Sequence, residues 1–147
     1  MDLTFVKRGG KYDELTISRA DGTTETIACP KQGIIPHDMI HVAVESVLAH
    51  RGFLTLVAEG QAVDFDTGGA QEDHAVERLV EVFQAEMWGG RVPVADLIAT
   101  YEHACAARGH DAASISAEDI AAIRTRLDEL TGQWADVPMN GGLTVTL

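Results

Sequence analysis

The order of strand-like and helix-like segments is the feature that most restricts how this chain can fold. Short alternating segments rich in β-branched residues come first, and Asp21-Gly22 between two of them is a strong hairpin-turn signal. Segments with helical spacing follow, and one more short alternating segment closes the sequence. Because strands grouped ahead of helices favour antiparallel pairing, this order predicts an α+β fold. We expect a small antiparallel sheet, made of the N-terminal strands plus the C-terminal strand, packed with about four helices.

The individual segments can be placed from their periodicity and from the residues that interrupt it. We predict strands over residues 2–7, 13–19, 23–28 and 143–147, a loop from Cys29 to Pro36, and helices over about 36–51, 71–88 and 93–108 and from Ser116 onward. Ser116 and Asp119 resemble a capping box at the start of the last helix, with Asp in place of the usual Glu. Residues 53–58 fit either a further helical turn or a buried strand, and residues 60–69 fit a glycine-rich acidic loop.

Length and charge restrict the class of protein. The 147 residues match one domain spanning residues 1–147, and 11 basic against 23 acidic residues give a formal charge of −12. Such a charge opposes binding to nucleic acid and to anionic membranes, and it suits cations as ligands. The N-terminus lacks the pattern of a signal peptide, and no apolar stretch is long enough to span a membrane. With Cys29 and Cys105 interpreted as free thiols in a reducing cytosol, we expect a soluble cytoplasmic protein.

The most informative motif is His37-Asp38-x-x-His41-x-x-x-Glu45 at the start of the first predicted helix. At about 100° per residue, its polar side chains form a stripe beside the apolar stripe of the same helix, with the two histidines at the margin of the core. Two histidines four residues apart on one helical face can bind one metal ion. His37 and His41 are therefore candidate ligands of Zn²⁺ or another divalent metal. Glu45 is either a further ligand or a partner that orients His41.

One more ligand is expected from outside this helix. Glu72 is the candidate, with His74 as the alternative, because Glu72 projects toward the apolar side of the second predicted helix. A carboxylate near the core needs a partner, and the histidines of the first helix would supply one. The sequence contains no phosphate-binding loop and no dinucleotide fingerprint, so no nucleotide cofactor is expected.

The pattern His37-Asp38-x-x-His41 resembles the His-Glu-x-x-His motif of the zincins, a family of zinc metallopeptidases. The resemblance covers residues 37–41 only. In that family the histidines hold zinc and the glutamate activates the zinc-bound water. The resemblance therefore implies Asp38 as a catalytic base and hydrolysis as the reaction class, with the substrate left open. The position of Asp38 beside the two histidines also fits a residue that orients a metal ligand without touching the metal. Asp38 departs from the family because its side chain is one methylene shorter than that of glutamate.

The same residues also fit a purely structural interpretation. Asp38 would then pair with the helix dipole, and His41 and Glu45 would form an i,i+4 pair. A second hypothesis for the whole chain is a non-enzymatic interaction protein. It rests on the apolar residues from Ile120 to Trp134, whose spacing of three and four residues could pack on a second copy of the chain or on its own core.

Beyond the motif, the chain resembles a family of small uncharacterised bacterial proteins. The residues that carry the resemblance are Asp21-Gly22, Ile35-Pro36-His37-Asp38-x-x-His41-x-x-Val44-Glu45, Gly52-Phe53 and Ala58-Glu59-Gly60. A tryptophan near the close of the last helix and a short final strand add to it. The resemblance covers most of the chain and implies a complete protein, but it implies no particular activity.

Overall fold

A four-stranded antiparallel sheet and four helices make up the described part of the chain in a computed structural model of the protein, which confirms the predicted α+β fold. The structure describes residues 1–31, 33–48 and 71–147, apart from the side chains of residues 71–73. The elements are β1 (Asp2–Val6), β2 (Tyr12–Ser18), β3 (Thr24–Pro30), α1 (His37–Leu48), α2 (Gln71–Gly89), α3 (Val94–Ala107), α4 (Ala117–Ala135) and β4 (Gly142–Thr146). The predictions for residues 49–70, including the ambiguous segment 53–58, lie outside the described residues. Among the residues that the structure describes, no helix is both long and apolar enough to cross a membrane.

The sheet has the strand order β3-β2-β1-β4, so the C-terminal strand returns to pair with the first strand, as predicted. The hairpin around Asp21-Gly22 joins β2 to β3, and Gly22 adopts a φ of +88° that favours glycine. Leu3 and Phe5 of β1 lie opposite Ile17 and Leu15 of β2, and all four side chains are buried on one face. This alternation creates the apolar face on which the helices pack.

The third strand is longer than the sequence indicated. Cys29 and Pro30 belong to β3, where they pair with Asp13 and Tyr12, so the prediction of a loop beginning at Cys29 is wrong. Proline removes a backbone donor, but β3 is an edge strand and Pro30 is its last residue. At such a position the missing N–H costs little, and the strand can extend to it.

Helix α1 is the most enclosed element. Eight consecutive residues, from Asp38 to Glu45, are buried. They are buried because α2 and α4 both pack on this helix and β3 lies against it. The expected position of the polar stripe at the margin of the core is therefore wrong for His41, which lies inside the protein. His37, at the start of the helix, keeps 18% of its side chain exposed.

Helix α4 begins and packs as its sequence predicts. The Ser116 hydroxyl accepts a hydrogen bond from the backbone N–H of Asp119 at 3.1 Å, and the Asp119 carboxylate accepts one from the N–H of Ser116 at 3.0 Å, which confirms the capping box. The apolar residues with helical spacing are all buried in the chain's own core: Ile120, Ile123, Leu127, Leu130 and Trp134. The side chains that suggested a homo-oligomer are thus covered within one chain. A homo-oligomeric state of the protein remains a prediction.

Replacing Leu127 by alanine tests this core role. Leu127 is 3% exposed, and Leu127→Ala removes buried methyl groups from the α4 face that packs toward the core. We expect the free energy of unfolding to fall by about 2–5 kcal/mol in urea titrations. Thr125→Ala, on the exposed side of the same helix, is the control and should change it by well under half of that. An oligomer that dissociates in Leu127→Ala without loss of monomer stability would contradict the core assignment.

Candidate metal centre

His41 lies between two carboxylates in the interior. Its Nδ1 is 3.1 Å from Oε2 of Glu45, one turn further along α1. Its Nε2 is 3.1 Å from Oε2 of Glu77, which projects from the neighbouring helix α2. Only 3% of the His41 side chain is exposed. Both polar edges of the ring are therefore engaged by acidic groups within a largely apolar region.

His37 approaches the same carboxylate from the first residue of α1. Its Nε2 lies 3.5 Å from Oε1 of Glu77, and its Nδ1 lies 2.8 Å from Oε1 of Gln84 on α2. The His37 and His41 rings meet edge to face, with centroids 5.0 Å apart. The four-residue spacing on α1 thus places both rings side by side over one region of α2.

Glu77 is the residue that joins the two histidines. One of its oxygens faces each imidazole, and the possible ligand atoms of His37, His41 and Glu77 all lie within 4.8 Å of one another. This group could hold a metal ion. Two imidazole nitrogens and one carboxylate form a donor set that proteins use for Zn²⁺ and for Fe²⁺.

The outer contacts of the two imidazoles favour the same arrangement. If each Nδ1 carries the proton, the Nδ1–H of His41 donates to Glu45 and that of His37 donates to Gln84. Each Nε2 then has its lone pair on the side that Glu77 occupies. Histidine ligands commonly donate their other N–H to a carboxylate or carbonyl oxygen, which fixes the tautomer and the orientation of the ring.

The electrostatics of the metal-free group favour a charged His41. Burial lowers the pKa of His41, but hydrogen bonds to Glu45 and Glu77, together with their negative charges, outweigh burial and raise the pKa to about 10. For Glu77 burial raises the pKa, and the hydrogen bonds from His37 and His41 more than offset this and hold it well below its usual range. Without a metal, the interior therefore contains an imidazolium paired with carboxylates.

Asp38 contacts the sheet. Its carboxylate is buried and accepts a hydrogen bond from the thiol of Cys29 on β3, at 3.1 Å. Burial, with the nearby charge of Asp38, raises the pKa of the Cys29 thiol, so Cys29 remains a protonated donor. Asp38 does not belong to the group formed by His37, His41 and Glu77. Its role as a catalytic base stays a prediction, and its observed partner is Cys29.

The other predicted ligands have different outcomes. Glu45 contacts His41 as an orienting partner and lies outside the three-residue group. The ring of His74 stacks on that of His110, with centroids 4.4 Å apart, so His74 does not complete the site. Glu72 falls in the first turn of α2, and its side chain lies outside the described residues, so its role as a ligand stays a prediction.

Glu77 and Gln84 are not among the site residues predicted from the sequence. Glu77 belongs to a run of acidic residues that is typical of a solvated helix face, and nothing in that run distinguishes it. The available signal was positional. Glu77 and Gln84 are seven residues apart and lie on one side of α2, beside its apolar stripe, as the polar stripe of α1 lies beside its own.

Comparisons of the chain with protein-family models, with curated proteins and with solved structures find no match. The resemblances drawn from sequence motifs therefore stay predictions. The chemical interpretation of the site rests on its own geometry.

The paired His41 predicts a specific dependence of stability on pH. The raised pKa of His41 stabilises the folded state fully below its unfolded value of about 6.5, and this contribution is lost as pH rises toward about 10. In urea titrations with a chelator present, wild type should lose on the order of 2 kcal/mol more than Glu77→Gln between pH 6.5 and 9.5. Glu102→Gln, an exposed substitution on α3, should behave as wild type. Equal losses in wild type and Glu77→Gln would contradict the contribution of Glu77 to the raised pKa of His41.

Proposed function

We propose that the protein binds a divalent transition metal, with Zn²⁺ as the first candidate, through His37, His41 and Glu77. The observation that carries the proposal is the convergence of two imidazole Nε2 atoms on the two oxygens of one carboxylate. Each Nδ1 is at the same time held by an acceptor oxygen, from Gln84 or Glu45. An ion pair needs only one such contact, whereas a metal centre needs all of them together.

Exposure supports an open coordination position. His41 is enclosed, but 34% of the Glu77 side chain and 18% of the His37 side chain are exposed. Solvent therefore reaches the group from the side of Glu77 and His37. Three protein ligands with one position left for water are typical of catalytic zinc sites, whereas structural sites are closed by four protein ligands. Hydrolysis is accordingly the reaction class that we propose for this centre, with its substrate undetermined.

The second candidate is a structural ion network that binds no metal. The observation that favours it is the same imidazolium, whose charge is already balanced by Glu45 and Glu77. A metal must displace the proton from His41 before it can bind, so the two states compete for one nitrogen. The formal charge of −12 favours the metal in this competition, because a negative potential attracts a divalent cation more strongly than the single proton that it displaces.

Metal titration with matched variants distinguishes the two candidates. We expect Zn²⁺ to bind wild type at one site per chain and to stabilise it by about 2.7 kcal/mol at a free concentration of 100 times Kd. His37→Asn and Glu77→Gln should abolish this stabilisation because the first removes a donor nitrogen and the second removes the only anionic ligand. His103→Asn and Glu102→Gln, which change exposed residues of α3, are the matched controls and should bind as wild type. If Zn²⁺, Co²⁺ and Fe²⁺ all fail to stabilise wild type between pH 6.5 and 9, the metal site is excluded and the structural ion network is the remaining candidate.

The orienting role of Glu45 gives a separate prediction. Glu45→Gln preserves the size of the side chain and an oxygen that can accept from Nδ1 of His41, but it removes the negative charge. We expect the affinity for Zn²⁺ to fall about 10–100-fold with the stoichiometry unchanged. Isothermal calorimetry against a competing chelator measures both quantities. A complete loss of binding would instead make Glu45 a direct ligand.

A further inference from the structure

Helix α2 contacts the first residue of α1 and the loop that precedes it. Gln84 contacts Nδ1 of His37 at 2.8 Å, and one turn later the indole of Trp88 lies on the backbone of Gly33, four residues before His37. Together with Glu77, these α2 residues lie within about 40° of one another around the helix axis. One face of α2 therefore provides a metal-ligand candidate, a contact to the second imidazole, and a contact to the loop that leads into α1.

The indole of Trp88 approaches Gly33 so closely that a side chain at position 33 would have to displace it. A Cβ atom on Gly33 would lie 2.6 Å from Nε1 of Trp88, closer than real Cβ atoms approach, and 3.0 Å from Cε2, which is a tight contact. Gly33 also has a φ of +111°, which L side chains rarely adopt. Both the backbone conformation at position 33 and the close approach of the Trp88 indole therefore favour glycine there.

The exposure of Trp88 argues against a role in the core. The residue is 69% exposed, the highest value among the exposed large hydrophobic residues on the described surface. Burial therefore stabilises the fold little at this position. Trp88 contacts Gly33, which belongs to the loop over residues 33–36 that leads into α1.

We propose that Trp88 is a positioning residue, which holds the loop over residues 33–36 through Gly33 and so keeps Nε2 of His37 facing Glu77. His37 lies at the end of its helix, where no preceding turn fixes the backbone. His41, one turn inside, is held by the packing around α1 and needs no such contact. The significance of this positioning rests on the proposed metal function, although the contact itself does not involve a metal.

The test compares Trp88→Ala and Gly33→Ala with two matched controls. Gly10→Ala places alanine at a similar φ of +86° with nothing within 4 Å, and Val92→Ala truncates another exposed apolar side chain. We expect Trp88→Ala and Gly33→Ala to weaken Zn²⁺ binding about 10-fold and to alter the visible absorption of bound Co²⁺, which reports ligand geometry. The controls should do neither, and Trp88→Phe should restore most of the affinity. Wild-type affinity and spectrum in both test variants would overturn the proposal while leaving the metal site intact.

A second measurement tests the positioning role of Trp88 if wild type binds no metal. The ring ¹H–¹⁵N signals of His37 in chelator-treated protein report its tautomer and its contact with Gln84. We expect these signals to shift in Trp88→Ala and Gly33→Ala but not in Gly10→Ala or Val92→Ala. That result would support the positioning role even where the proposed metal function has failed. Unchanged His37 signals in both test variants would overturn the role.

Discussion

The placement of α1 against α2 depends on one buried imidazole with a carboxylate on each side. His41 is tied to Glu45 in its own helix and to Glu77 in the next, and almost none of its side chain reaches water. A buried charge without a partner is strongly destabilising, by about 3–5 kcal/mol when one member of a buried pair is removed. The two helices can therefore slide or rotate past each other only at a large electrostatic cost. The apolar contacts alone would tolerate such shifts better, because hydrophobic packing is not directional.

The same three side chains support two states that differ by the exchange of a proton for a cation. In one state His41 is an imidazolium and Glu77 accepts from it. In the proposed state His37, His41 and Glu77 are ligands, while Glu45 and Gln84 keep their contacts with Nδ1. Little rearrangement separates the two, because the nitrogen that donates to Glu77 is the nitrogen that would bind the metal. A preorganised group of this kind loses little conformational entropy on binding.

Local signals in the sequence predicted the elements well, and tertiary packing determined the rest. The capping box at Ser116, the hairpin at Gly22 and the buried apolar spacing of α4 each depend on neighbours within a few residues, and each was found. The first helix was predicted to be amphipathic, yet packing on several sides buries its polar stripe as well. Glu45 was predicted as a partner of His41, but Glu77 was not, because it belongs to another helix whose rotation about its axis is set only by packing. The contact of Asp38 with Cys29 likewise depends on how β3 lies against α1.

The pairing of β1 with β4 determines when the sheet can be completed. Thr4 and Thr144 share a hydrogen bond across a separation of 140 residues, and β1 is a central strand only because β4 lies beside it. Until residues 142–146 have left the ribosome, β1 has an open edge next to the buried side chains of Leu3 and Phe5. Such contacts between distant parts of a chain slow folding, because loop closure must precede the gain from pairing. A nascent chain in which β4 has not yet emerged thus leaves one edge of β1 unpaired beside apolar side chains, and open edges of that kind are sites of aggregation and of chaperone binding.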